Sequence, residues 1–150
     1  MRAVIQRVSG ASVIIKEQKV AEIQQGFLVL LGIEIEDTKE DALWLVNKIS
    51  ALRIFADEEG VMNKSITETG GDVIVVSQFT LHAKTKKGNR PSYIKAARPE
   101  QSMPLYKQFK EDLSVAIGKQ VQSGEFGADM QVSLINDGPV TILIDTKNKE

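Results

Sequence analysis

The polar side chains suited to catalysis or ligand binding are concentrated in two short interruptions of apolar sequence. Ser77, Gln78 and Thr80 interrupt the run from Asp72 to Leu81, and the segment Asn136 to Pro139 separates two further apolar stretches. Hydroxyl and amide groups of this kind can stabilise charge during hydrolysis or hold a polar ligand. The alternative is structural: the hydroxyls bond neighbouring backbone groups, Gln78 faces solvent, and the Gly-Pro pair forms an ordinary turn.

The residue types that are missing narrow the chemistry further. The chain has no cysteine and one histidine, which excludes cysteine nucleophiles, multi-histidine metal sites and Cys-rich zinc sites. No G-x-S-x-G motif accompanies His82, and no glycine-rich phosphate loop is present. A lone histidine before a basic loop is typical of a protein surface, so we expect His82 to be exposed and not catalytic. The functions left open by these residue types are hydrolysis or ligand binding without a metal or cofactor.

Length and composition predict one globular domain spanning residues 1–150. The chain has 150 residues, of which 42% are apolar. Its longest apolar run, Phe27 to Ile33, is interrupted by Gly32 and is far shorter than the ~20 residues that a membrane span needs. The sequence shows neither a secretory signal nor a disulfide framework. We therefore expect a cytoplasmic protein without membrane contact.

The basic side chains are segregated along the chain, although the net charge is only −1. The stretch from 84 to 98 contains no acidic residue and carries Lys84, Lys86, Lys87, Arg90, Lys95 and Arg98. A local patch of this kind is suited to the phosphate groups of a nucleic acid. The alternative is a solvated surface loop, because basic runs are common on protein surfaces.

The first third of the chain predicts a β-meander. Ala3 to Val8 and Ser12 to Lys16 are rich in strand-forming residues and flank a Ser9-Gly10 turn. Val20 to Ile23 and Phe27 to Ile35 have the same character and are predicted to follow as strands.

The rest of the chain predicts two helices among further strands. The first helix is capped by Asp37 or Thr38, and the second begins near Ser102, has Pro104 in its first turn and ends at Gly118. Strands are expected at Arg53 to Ala56, Asp72 to Leu81, Met130 to Ile135 and Val140 to Ile144. The predicted fold class is α+β: a single domain with a curled or barrel-like, mostly antiparallel β-sheet and two main helices packed on it.

Two segments resemble the signatures of a known family. VVSQFTL at Val75 to Leu81 and NDGPVT at Asn136 to Thr141 are similar to the signature segments of the D-aminoacyl-tRNA deacylases, and IQRV at Ile5 to Val8 is similar to that family's N-terminus. The likeness covers essentially the full chain, including LLG at 30–32, RIF at 53–55, RPSY at 90–93 and ADMQVSL at 128–134. Both signatures in this order in a chain of this length form a specific resemblance.

The resemblance implies an activity and an assembly. Its members are homodimers that hydrolyse the ester bond of D-aminoacyl-tRNA, and of glycyl-tRNA formed on tRNA-Ala, releasing the amino acid. In them a cis Gly-Pro peptide, here Gly138-Pro139, reaches into the pocket of the other subunit. Its carbonyl oxygens accept from the substrate ammonium and exclude the side chain of an L-amino acid. By the same resemblance, Arg7 holds the Gly-Pro loop by donating to its carbonyls, and Met130 lines the pocket or belongs to the core.

The resemblance also places the chemistry at the SQFT segment. Backbone N–H groups near Phe79 and Thr80, helped by Gln78, are expected to stabilise the oxyanion. We favour assistance by the substrate's ribose 2′-hydroxyl over Thr80 as nucleophile, because no general base is evident beside Thr80. In this interpretation Ser77, Gln78 and Thr80 shape the pocket, and Phe79 contacts the terminal adenine or ribose unless it is a core residue. The residues expected to contact tRNA are Lys84, Lys86, Lys87 and Arg90.

Two alternatives stay open. A non-catalytic RNA-binding β domain would use the basic stretch for phosphates and Phe79 for stacking, but the 5% aromatic content does not supply the repeated exposed aromatics of such domains. A related enzyme that edits L-amino acids, in which a trans Gly-Pro bond is expected, is the nearer alternative.

Overall fold

The computed structural model describes residues 1–150, which form a curled mixed sheet with helices packed on it. The strands are β1 (Arg2–Ile15), β2 (Gln18–Ile23), β3 (Gly26–Gly32), β4 (Phe55–Ala56), β5 (Met62–Lys64), β6 (Asp72–Ser77), β7 (Gln122–Ser123) and β8 (Gln131–Asp145). The helices are α1 (Lys39–Ala51), α2 (Ile66–Thr69) and α3 (Pro99–Ile117), and a 3₁₀ helix spans Phe79–His82.

Strand β1 organises the main sheet because it is paired along both edges. Strands β2 and β3 pair antiparallel with successive halves of one edge, and β8 runs antiparallel along the other. Parallel strands β6 and β7 extend the sheet beyond β3. The side chain of Gln122 in β7 bonds the backbone N–H and C=O of Glu22 in β2, at 2.8 Å each. The sheet is therefore nearly closed and barrel-shaped, which confirms the predicted α+β architecture.

The predicted meander is wrong in its order and in its first turn. Residues Ser9 and Gly10 lie inside the continuous strand β1, at a register irregularity of its pairing with β8. The turn lies instead at Lys16 and Glu17, whose φ values are 48° and 65°. A Ser-Gly pair is compatible with an irregular strand as well as with a turn, and long-range pairing with β8 decided between the two.

Two helix boundaries also differ from the prediction. Helix α1 is capped by Thr38, as expected, but α3 begins at Pro99, three residues before Ser102, and places Pro104 inside the helix. Pro99 occupies the first helical position, where a missing N–H costs nothing. Helix α3 ends at Gly118, with φ of 70°, as predicted.

The core occupies both faces of the sheet. A larger cluster packs α1 and α3 against one face, with Phe27, Phe55 and Phe109 among its fully buried side chains. A smaller cluster on the other face contains Leu28 and Ile74. Strands β3 and β6 are buried on both faces, which is typical of parallel neighbours inside a sheet. No helix is both long and apolar enough to span a membrane.

Candidate functional site

A pocket of about 540 Å³ opens beside the end of strand β6. Ser77, Gln78 and Phe79 line it on one side, and Met130 lines it on the other. The remaining contributors come mainly from the start of α3 and the segment before β8, and they include Tyr93, Ala97, Pro99, Ser102, Tyr106, Phe126 and Asp129. The volume and the mostly apolar lining are typical of a small-molecule site. The structure thus brings four of the predicted site residues together.

The sequence predicted a strand that continues to Leu81, but within the SQFT segment only Ser77 belongs to strand β6. The chain turns at Gln78, Phe79 and Thr80. The last residue of β6, Ser77, pairs with Leu31, and the N–H of Gln78 donates to the carbonyl of Leu31 at 2.8 Å. Strand β3 then ends at Gly32, so the ladder has no further partner and the chain enters the 3₁₀ helix. Gly32 permits the close approach, because a Cβ there would lie 2.9 Å from the carbonyl oxygen of Gln78.

Two backbone N–H groups at the start of the turn, before its first hydrogen bond, have no acceptor within it. Helical bonding begins where the N–H of Leu81 donates to the carbonyl of Gln78, at 3.3 Å. The N–H groups of Phe79 and Thr80 precede this bond and have no partner within the turn. Two adjacent N–H groups without a partner in the chain are donors that an anion could accept from.

Thr80 differs from its three neighbours because it does not line the pocket. Its hydroxyl accepts a hydrogen bond from the side-chain amide of Gln78. No carboxylate or imidazole bonds this hydroxyl, so nothing activates it as a nucleophile.

The prediction that His82 is exposed is wrong. His82 is 2% exposed and packs under the turn against Gly32, where a glycine Cβ would meet its Cδ2 at 3.1 Å. Neither ring nitrogen has a hydrogen-bond partner in the structure. The apolar environment at the end of β3 encloses the ring, which the neighbouring basic sequence did not reveal.

Tyr106 provides the pocket with a polar group that sequence reasoning missed. Its hydroxyl donates to the carbonyl of Val75 at 2.8 Å. Burial raises the pKa of Tyr106 to about 12, and a hydrogen bond with Ser123 opposes this rise only in part. The phenol therefore stays protonated at neutral pH and is not a general base. Tyr106 lies on the buried face of α3 together with Phe109 and Leu113.

The NDGPVT segment is a bulge in an edge strand and not a hairpin turn. Both halves of β8 pair with β1, so the two final strands expected from the sequence form one strand. Asn136 pairs with Val8 and Thr141 with Gln6, which leaves the residues 137–140 opposite Arg7 alone. Three extra residues therefore project from the sheet at this point.

Side chains of the signature close the base of this bulge. The amide oxygen of Asn136 accepts from the N–H of Val140 at 3.0 Å, and its nitrogen donates to Gln6 Oε1 at 2.6 Å. The hydroxyl of Thr141 donates to the same oxygen of Gln6, also at 2.6 Å. Asn136, Thr141 and Gln6 thus hold the ends of the bulge together, a role that the sequence pattern did not reveal for any of the three.

Arg7 supports the bulge from below. Its Nε donates to the carbonyl of Asp137 at 3.0 Å, and its Nη1 donates to the carbonyl of Ile54 at 2.6 Å. Gly138 follows with φ of +130°, and its bond to Pro139 is cis. A Cβ on Gly138 would lie 2.8 Å from Val140 Cγ2 and 2.9 Å from Arg7 Nη2, so only glycine fits without displacement.

The two signature segments do not meet within one chain. The pocket lining contains neither Arg7 nor Gly138 nor Pro139. Measured along the curled sheet, Gly138 lies three strand spacings and about four residues from Ser77, a path of roughly 20 Å at the usual strand spacing and rise. Strand β8 has no partner on its outer edge and exposes Ile135 and Leu143 there.

The basic stretch lies next to the pocket mouth. Reciprocal backbone hydrogen bonds between Lys84 and Ser92, at 2.8 and 3.0 Å, close a loop immediately before Tyr93. The predicted tRNA contacts Lys84, Lys86, Lys87 and Arg90 are all exposed and form no salt bridge or side-chain hydrogen bond. These charges are free to bind an external anion. No group of three or more His, Cys, Asp or Glu residues is placed to hold a metal ion.

Comparison with known proteins places these features in a family. A family model described as "D-Tyr-tRNA(Tyr) deacylase" matches residues 4–145. The chain belongs to the D-Tyr-tRNA(Tyr) deacylase family. Proteins named "D-aminoacyl-tRNA deacylase" from Bacteroides fragilis and Flavobacterium johnsoniae are 67% and 61% identical to it over 150 residues, covering 100% of both chains.

Solved structures agree with the fold. A structure described as "c-Myc DNA Unwinding Element Binding Protein" is 41% identical, with a TM-score of 0.92 over 97% of this chain and 98% of that chain. A second, described as "Structural Analysis of a probable eukaryotic D-amino acid tRNA deacylase", is 19% identical, with a TM-score of 0.81 over 95% of this chain and 97% of that chain. At this lower identity the likeness concerns the fold alone.

Proposed function

We propose that the protein hydrolyses the ester bond of D-aminoacyl-tRNA, and of glycyl-tRNA formed on tRNA-Ala, in the cytoplasm. The observation that carries this proposal is the convergence of Ser77, Gln78, Phe79 and Met130 on one pocket, in a chain whose family and relatives bear deacylase names. Water adds to the ester carbonyl carbon, the bond to the ribose oxygen breaks, and that oxygen takes a proton. The products are a free amino acid and tRNA.

The chemical step depends on backbone donors and on the substrate. The N–H groups of Phe79 and Thr80 stabilise the oxyanion, since they precede the first bond of the turn. Tyr106 stays protonated, His82 is buried outside the pocket lining, and the one carboxylate of the lining, Asp129, is exposed to solvent. We therefore assign the activation of water to the 2′-hydroxyl next to the ester. Gln78 and Ser77 orient the ester by hydrogen bonding.

A second copy of the chain completes the site. Gly138 does not line the pocket of its own chain and lies roughly 20 Å from Ser77 along the sheet, so we infer that it reaches the pocket of another subunit. Its bulge projects from an unpaired edge strand that exposes Ile135 and Leu143, an apolar surface that a homodimer would cover. Because a twofold interface uses the same surface on both subunits, each copy then offers its bulge to the other's pocket.

The bulge acts as the stereochemical filter. Asn136, Gln6 and Arg7 hold its backbone rigidly, while Gly138 and Pro139 stay exposed. Carbonyl oxygens presented in this way accept from the substrate ammonium, and the space beside them excludes the side chain of an L-amino acid. Glycine, which has no side chain, passes the filter.

The test compares three substrates on the wild-type enzyme and on two variants of the SQFT segment. Wild type should cleave D-Tyr-tRNA and leave L-Tyr-tRNA intact, and tRNA ending in 2′-deoxyadenosine should be cleaved about 100-fold more slowly, since a general catalyst contributes about that much. Thr80→Ser and Ser77→Ala should keep activity within about tenfold, because their side chains orient and do not react. A stable acyl-enzyme on Thr80 would contradict the mechanism, and cleavage of L-Tyr-tRNA would contradict the filter.

A second candidate is a non-catalytic nucleic-acid-binding protein. The name of the 41% identical structure, which refers to DNA binding, and the unpaired cations near the pocket favour it. Such a protein would bind tRNA with an affinity that depends on salt, yet would not accelerate ester cleavage. Turnover of D-Tyr-tRNA by purified wild type therefore separates the two functions.

A further inference from the structure

We propose that Phe79 and Tyr93, which line the pocket and are exposed to solvent, together form a stacking site at its edge for the nucleotide that precedes the terminal adenosine of the substrate. This inference rests on the proposed function. It assigns a role to Tyr93 and identifies which nucleotide of the unpaired 3′ end contacts it. The two rings are in edge-to-face contact, with centroids 5.0 Å apart and an angle of 72° between their planes.

Exposure distinguishes this pair from the other aromatic residues. Phe79 is 55% exposed and Tyr93 is 38% exposed, whereas the chain's other six aromatic side chains are buried or half-buried. Two neighbouring rings exposed at the edge of a pocket form a platform for unpaired bases, because every base has a face that stacks.

The size of the pocket determines which base reaches the pair. A volume of about 540 Å³ is suited to one aminoacylated nucleoside, the size of a typical small-molecule ligand. The nucleotide chain must then leave through the mouth, whose rim carries Phe79 and Tyr93. The first base outside the pocket is the penultimate one.

The surrounding charge fits a phosphate backbone at this place. Lys95 and Arg98 lie on either side of Ala96 and Ala97, which line the pocket, and neither cation has an acidic partner. The basic loop closed by Lys84 and Ser92 directly precedes Tyr93 in the chain. Tyr93 therefore has basic residues before and after it in the sequence, which suits a phosphate backbone that passes this ring.

The backbone of Tyr93 is held before any ligand binds. The hydrogen bonds between Lys84 and Ser92 close the loop just before it, and its carbonyl accepts from the N–H of Ala96 at 3.0 Å. A platform positioned in this way loses little conformational freedom on binding.

The experiment compares a long and a short substrate on two variants. The substrates are D-Tyr-tRNA and D-tyrosyl-adenosine, which lacks the penultimate nucleotide. Tyr93→Leu should raise KM for D-Tyr-tRNA about tenfold with little change in kcat, since one stacked base contributes about this much to binding. Its effect on D-tyrosyl-adenosine should be several times smaller. Tyr93→Phe keeps the ring and should restore the wild-type KM.

A spectroscopic measurement reports stacking directly. Uncharged tRNA carrying 2-aminopurine at the penultimate position should be quenched by wild type and by Tyr93→Phe, and much less by Tyr93→Leu. The assignment would be overturned if Tyr93→Leu raised KM equally for D-Tyr-tRNA and for D-tyrosyl-adenosine. It would also be overturned if only a 2-aminopurine at the terminal position were quenched. The probe uses uncharged tRNA, so it tests stacking even if wild type fails to cleave D-Tyr-tRNA, a result that would instead refute the proposed function.

Discussion

The two signature segments differ in how the chain supports them. The turn at 77–82 packs against the end of β3 through Gly32 and lines a pocket. The bulge at 137–140 projects from an edge strand, and its support comes only from below, through Arg7 and the Asn136 network. One segment lines a pocket within its own chain, and the other is a projection whose tip, Gly138 and Pro139, is exposed and lies outside that pocket.

This difference is the basis of the proposal that the site is divided between two subunits. A projection held rigidly at its base and exposed at its tip can select only what another surface presents to it. We therefore expect damage to the bulge to lower activity on D-substrates steeply while the fold and the rejection of L-substrates survive. Damage to the periphery of the turn should weaken binding by smaller factors.

The largest effect is expected from Gly138→Ala. The added Cβ would lie within 3 Å of Val140 Cγ2 and of Arg7 Nη2, in a residue whose φ of +130° already disfavours a side chain. The tip of the bulge must shift, and a displacement of this kind can lower activity on D-Tyr-tRNA about 100-fold. The free energy of unfolding should fall by only ~1 to 3 kcal/mol. L-Tyr-tRNA should stay uncleaved.

Gly60→Ala is the matched control for this substitution. Gly60 also has positive φ, +79°, but a Cβ there would meet nothing within 4 Å. It should lose stability and keep wild-type activity. A well-folded Gly138→Ala protein with full D-specific activity would show that the bulge is not the filter.

The next effect concerns assembly. Leu143→Lys places a charge on the exposed edge of β8, where the bulge also lies. The protein should sediment as a monomer, and activity at low concentration should fall roughly tenfold or more, because each pocket lacks the partner's bulge. Val115→Lys, at an equally exposed apolar residue of α3, should remain dimeric and active. A fully active Leu143→Lys monomer would contradict the division of the site between subunits.

A smaller effect is expected when the basic loop next to the turn loses charge. Lys86→Ala combined with Lys87→Ala should weaken tRNA binding and reduce the slope of log affinity against log salt by about 2, roughly one unit per lost phosphate contact. The preference for D- over L-substrates should not change, because phosphate contacts position and do not discriminate. A double variant at Lys39 and Lys48, exposed on α1, controls for net charge. Unaltered affinity would restore the interpretation as a solvated loop.

The smallest effect on activity is expected from Asp41→Asn, which should lower stability without changing deacylation. Burial alone would raise the pKa of Asp41, but hydrogen bonds from Lys147 and Thr38 outweigh it and lower the pKa from 3.8 to about 2. A lowered pKa in the folded state means that the carboxylate stabilises the fold above pH 4 and that this contribution is lost as the pH falls towards 2.

Asp41→Asn should therefore cost about 1 kcal/mol at pH 7, after allowance for the partly exposed Lys147. The difference from wild type in urea unfolding should narrow between about pH 5 and pH 2. Deacylation at pH 7 should not change, although the loss of stability is comparable to that of Gly138→Ala. A loss of activity in Asp41→Asn would mean that stability alone explains the Gly138 result.

Local patterns in the sequence were sufficient for the regular elements. Helix α1 was predicted from the helical spacing of its buried face, with a cap at Asp37 or Thr38, of which Thr38 is the cap. The buried strands β3 and β6 were recognised from dense aliphatic sequence, although β6 was expected to continue to Leu81. The resemblance to the deacylases, carried by the two signature segments, supplied the family that the comparison then showed.

What the sequence by itself determined is an α+β domain, its family, and the two segments that carry the polar groups. Only the tertiary structure decided the shapes of those segments. The SQFT segment turns because the pairing of β6 with β3 stops where β3 ends. The NDGPVT segment becomes a bulge because β8 pairs with the same strand, β1, before and after it. The burial of His82 and the position of Tyr93 beside Phe79 were decided in the same way. The physical reason is that local sequence sets propensities, whereas ladder ends, bulges and enclosure depend on residues distant in the chain.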